Sequence, residues 1–63
     1  MRGKTTAVLN VRARGSMTAP ILGIIPMAVD VDIVSKRGKW GRIQYTDDQT
    51  GYICLDYVTI KED

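Results

Sequence analysis

The chain has 63 residues, 44% hydrophobic and 25% charged, with nine Lys and Arg against seven Asp and Glu for a net charge of +2. That length allows one core and no cleft between domains, and such a core buries only about 60% of the surface the unfolded chain exposes. The composition excludes a disordered tail, the charge is too small to indicate nucleic acid by itself, and a lone Cys54 excludes an internal disulfide.

The chain starts "MRGKTTAVLN", which lacks the apolar core of a signal peptide. In "TAVLNVR" (6–12), alternation sends Ala7, Leu9 and Val11 inward and Val8, Asn10 and Arg12 outward. "ARGSMTAP" (13–20) has no strand pattern and carries Gly15, Ser16, Thr18 and Pro20, so it reads as a loop. "ILGIIP" (21–26) is apolar, interrupted by a Gly and stopped by Pro26, which suits a bent edge strand. "AVDVDIV" (28–34) predicts a half-buried strand with Val29, Val31 and Ile33 inside and Asp30 and Asp32 on a solvated face.

"KRGK" (36–39) is the one local cluster of positive charge and reads as a solvated turn. "KWGRIQY" (39–45) puts Gly41, Ile43 and Tyr45 on one face and Trp40, Arg42 and Gln44 on the other. "TDDQ" is a hairpin turn, followed by "TGYIC" (50–54) with Gly51 and Ile53 inward and Tyr52 and Cys54 outward. "LDYV" is a brief 3₁₀ turn, and "TI" closes as a last strand. Five short strands with tight turns and no helix to cover a sheet close most economically on themselves. The expected fold is therefore all-β: one small five-stranded barrel over residues 1–63, with a short 3₁₀ turn before the last strand.

Four segments, in order, resemble those of bacterial SH3-like domains. "LNVRARGS" (9–16) looks like their LNVRSGPS opening, "ILGII" like V-I-G-x-L, "VDIV" like V-x-V-L, and "KWGRIQY…TGYICLDYV" like G-W-x-K-V…G-K-T-G-Y-V-x-x-x-Y-L. The resemblance runs from about residue 7 to residue 58. Two departures carry structural expectations. Ala13-Arg14-Gly15 replaces Ser-Gly-Pro, so the first loop should turn differently. Ala28 replaces a Gly, which argues against a turn with positive φ there. The ending also resembles eukaryotic SH3 domains, but the A-L-Y-D-Y opening and the acids of their first long loop are missing. Cys54 stands where those domains have Pro, leaving only Trp40 and Tyr57 of their polyproline surface. The bacterial branch is the better match.

Trp40 lies on the outer face of its strand by alternation, where an indole is useful to a ligand. Its structural alternative is packing under the 13–20 loop. Tyr57 stands where the resemblance places a groove tyrosine, the alternative being a cap on the barrel with its hydroxyl bonded to backbone. Tyr52 shares the face of Cys54 and is expected to flank the same groove. Asn10 and Arg12 point outward and can bond a ligand amide or carboxylate, or alternatively bond across the loop. The candidate ligand-binding set is thus Trp40, Tyr57, Tyr52, Asn10 and Arg12.

With no His to act as base or activate a thiol, Cys54 reads as a small buried or half-buried hydrophobe, and neither catalysis, a cofactor nor a metal is expected. No apolar run of about 18 residues is present to span a membrane. The resemblance implies a non-catalytic targeting module that attaches to bacterial cell-wall peptidoglycan peptides, often beside a wall hydrolase. An intracellular barrel binding a partner protein's peptide is the alternative. Single-stranded nucleic acid, contacted through Arg12, Arg14, Arg42 and "KRGK", comes third because the net charge is low. A monomer is expected, in the cell envelope if the chain belongs to an exported protein and in the cytoplasm if it is complete as given.

Overall fold

The computed structural model describes residues 1–61. It contains seven antiparallel strands: β1 (Arg2–Thr5), β2 (Leu9–Arg12), β3 (Ile21–Ile25), β4 (Asp30–Arg37), β5 (Trp40–Gln44), β6 (Thr50–Cys54) and β7 (Val58–Lys61). A single 3₁₀ turn, Leu55–Tyr57, precedes β7. The strand order is β3-β2-β6-β5-β4-β1-β7. The long strand β4 joins the two halves: Asp30–Asp32 pair with β1, while Ile33–Arg37 pair with β5 across a bulge between Ile33 and Ser35. The sheet coils around one core but leaves β3 and β7 as free edges, so the all-β SH3-like architecture holds with the ladder left open.

The alternation in β2, β4, β5 and β6 survives intact. Leu9, Val11, Ile25, Val31, Ile33, Ile43 and Ile53 form the core, with Tyr45, Leu55 and Val58 packed on its margin. Asp30 and Asp32 face solvent as expected. β3 sits at an edge, with Pro26 just beyond it.

Three expectations are corrected. There are seven strands, because the N-terminal segment contributes β1 and the strand expected from residue 6 begins at Leu9. The inward residues of β1 are Gly3 and Thr5, which no apolar pattern announces. The "KRGK" cluster is not wholly a turn. Lys36 and Arg37 belong to β4, and only Gly38 and Lys39 form the two-residue connection that pairs Arg37 with Trp40. Gly38 has φ 59°, the positive value that a primed hairpin turn needs at its first central residue.

The third correction is Ala28, which has φ 64° despite its Cβ. Left-handed backbone costs an L residue about 1–2 kcal/mol, so something must hold it. Thr5, only 2% exposed, supplies the hold. Its hydroxyl donates to the Pro26 carbonyl (2.7 Å) and accepts the Val29 N–H (2.9 Å). Its carbonyl accepts the Ala28 N–H (2.8 Å), and its own N–H donates to the Val29 carbonyl (3.0 Å). Four bonds from one buried residue fix the turn between β3 and β4.

Candidate functional site

The outer faces of β2 and β5 and the 3₁₀ turn converge on one open groove of about 240 Å³. Pairing of Trp40 with Cys54 puts the indole and thiol side by side on adjacent strands. Asn10 projects from the exposed face of β2, beside Arg12. The turn sets Tyr57 in the groove lining: Leu55 N–H donates to the Lys39 carbonyl (2.6 Å), and Thr6 N–H donates to the Tyr57 carbonyl (2.8 Å). The backbone of Tyr57 thus ties the turn to the barrel, while its ring stays 51% exposed.

The loop over 13–20 forms the remaining wall. Ala13 N–H donates to the Pro20 carbonyl (2.9 Å), and Ala19 N–H to the Ser16 carbonyl (3.1 Å). Ala19 is the buried residue of this loop. Arg12 Nη1 donates to the Ala19 carbonyl at 3.0 Å, which is the bond across the loop that its position allows. An arginine carries five N–H donors, so most of its fork is left for a ligand. Lys39 and Asp56 pair at 3.8 Å, both well exposed, a contact that contributes little stability.

Asn10, Arg12, Trp40 and Tyr57 therefore line one groove, and Tyr52 does not. Tyr52 opens instead into an adjoining cleft with Arg14, Gly15 and Arg37, on the other side of Trp40. Trp40 is half-buried and serves both depressions. A Cβ at Gly15 would stand 3.1 Å from Trp40 Cβ and Cγ, so the root of the indole rests on the loop backbone. Packing under the loop and lining the groove are both realised in this one residue.

Sequence reasoning missed Val8 and Met17 as groove residues. Val8 is 67% exposed and Met17 70% exposed, and both line the groove. Val8 had a signal, being an apolar side chain on the outward side of its strand. Met17 had none, because its place depends on how the loop folds back. Cys54 is half-buried at the groove floor, as a small hydrophobe would be. Among the described residues, no group of three His, Cys, Asp or Glu gathers as metal ligands would.

An antiparallel coil of this size, with a 3₁₀ turn before its last strand and an aromatic groove on the outside, has the architecture of an SH3-like binding module. The family model "Bacterial SH3 domain" matches residues 7–59, and the chain belongs to that family. SH3 domains are generally non-catalytic binding modules. No curated protein matches the chain.

Proposed function

We propose that this domain is a targeting module that binds the stem or cross-bridge peptides of bacterial peptidoglycan, as part of a protein acting at the cell envelope. The observation that carries the reading is the meeting of Asn10, Arg12, Trp40 and Tyr57 in one open groove. Two aromatic surfaces lining one groove suit an extended chain of small residues lying against them. The Asn10 amide can both donate and accept, and the free part of the Arg12 fork can donate, which matches peptide carbonyls and amides along that chain. Because a small open groove buries little surface, the affinity expected is modest, about 10–100 μM.

Co-sedimentation with washed bacterial sacculi of several wall types tests this directly. The native domain should pellet, and Trp40→Ala and Tyr57→Ala should stay in solution. Tyr57→Ala is the cleaner variant, because Trp40 also supports the loop at Gly15. If the native domain stays in solution with every wall, the wall reading fails and a protein partner inside the cell takes its place.

A further inference from the structure

The cleft on the other side of Trp40 has a chemistry that the peptide groove does not use. Strand register places Arg42 and Arg12 on either side of Tyr52 in one row across β5, β6 and β2, with Arg37 beside Trp40 in the next row. Arg14 enters from the loop and completes a cleft with Gly15, Arg37, Trp40 and Tyr52. Arg14 and Arg37 thus line the cleft, and Arg42 and Arg12 flank Tyr52 on the same sheet face. Like charges gathered on one sheet face repel one another. Among the described residues no acid forms an ion pair with them: the ion pairs there join Lys39 to Asp56 and Lys61 to Asp30.

We propose that this arginine face is a second binding site, specific for a linear, base-free polyanion of successive phosphate or carboxylate groups. Arginine rather than lysine fits that role, since the planar fork grips either oxyanion through two parallel hydrogen bonds. Spacing sets the choice of a chain over a single anion. Strands lie about 4.8 Å apart, so the Cα atoms of Arg42 and Arg12 stand about 10 Å apart across Tyr52 and the positive charge is spread over the sheet face. A single small anion engages part of such a row, whereas consecutive charges along a flexible chain engage all of it. The rings favour a base-free chain over nucleic acid. Stacking of bases needs open ring faces, whereas Trp40 is backed by Gly15 and Tyr52 is half-buried. The site shares Arg12 and Trp40 with the peptide groove, but the proposal does not rest on the peptide reading.

Trp40 is the single tryptophan, so its fluorescence reports on the cleft directly. The native domain is titrated with linear inorganic polyphosphate, with polyglutamate and with oligothymidylate of matched charge, from about 20 to about 200 mM salt. Saturable, salt-sensitive binding of polyphosphate or polyglutamate is expected, and which of them binds more tightly identifies the oxyanion. Arg14→Gln with Arg37→Gln should weaken that binding about ten-fold and flatten the salt slope by roughly one to two units. Arg42→Gln gives an independent second variant, and near-UV circular dichroism confirms that each is folded. The charge-matched pair Arg2→Gln with Lys4→Gln, on β1, should change the affinity less than about two-fold, as should Tyr57→Ala in the peptide groove. Absence of binding at low salt, or equal weakening by the β1 pair, overturns the proposal. Oligothymidylate binding more than about ten-fold tighter than polyphosphate also overturns it, in favour of single-stranded nucleic acid.

Discussion

Two depressions on this molecule look alike in outline and differ in what made them. The groove at Trp40 and Tyr57 encloses about 240 Å³, while a gap between β3 and β4 encloses about 380 Å³. The gap exists because β3 and β4 follow one another in sequence without pairing. Its floor is core, Ile25, Val31 and Ile43, and its rim carries Asp30 and Asp32. Tyr45 leans across it from the end of β5, with its hydroxyl so close to Gly23 of β3 that no Cβ fits there. The larger hollow is a seam in an unclosed barrel, stitched by one tyrosine and by the bonds of Thr5. The smaller one is lined by aromatic surface and polar atoms left over once folding is complete. Between these two, volume would rank the seam above the groove.

That contrast can be broken from the seam side first. Thr5→Val keeps the shape of the side chain but strands the Val29 N–H and the Pro26 carbonyl, with an expected loss of about 2–4 kcal/mol in urea unfolding. A domain this small has only about 3–5 kcal/mol in total, so much of the population should unfold at body temperature. A smaller loss, of about 1–3 kcal/mol, is expected for Gly23→Ala, which must push Tyr45 off the seam. Thermal melts would record it, and the fraction that stays folded should still pellet with sacculi.

Ala28→Gly should act in the opposite direction. It relieves a Cβ held at φ 64° and should gain about 0.5–1 kcal/mol, visible as a higher urea midpoint with an unchanged slope. The smallest stability effect belongs to the groove. Tyr57→Ala should cost less than about 0.5 kcal/mol, because the ring is half exposed and the turn is tied through its backbone. Sacculus binding should nevertheless collapse. A variant that leaves stability alone and abolishes binding separates site from seam.

The sequence made the central strands β4, β5 and β6 readable because their alternation is strict. Val31 and Ile33, Gly41 and Ile43, and Gly51 and Ile53 all went inward as the pattern requires. β1 was hidden because its inward positions are Gly3 and a threonine whose partners lie more than twenty residues away. The left-handed Ala28 was hidden for the same reason, since its own residue type argues against that conformation and the force that imposes it comes from Thr5. At the groove, alternation placed Trp40 and Asn10 on the outside, and the resemblance supplied Tyr57. Tyr52 was misjoined because period two fixes the face of a strand but not which end of that face a groove occupies. Its cross-strand neighbours are Arg42 and Arg12, and it opens with Arg14, Gly15 and Arg37 into the cleft beyond Trp40.

The most direct test of the groove as the ligand surface is a two-dimensional amide NMR titration of the domain with a soluble peptide-containing digest of peptidoglycan. The largest shifts should fall on Val8, Asn10, Tyr57 and the Trp40 indole N–H, with Ile24, Asp32 and Tyr45 unmoved. Shifts gathered along the seam, or none at ligand concentrations well above about 100 μM, would contradict it.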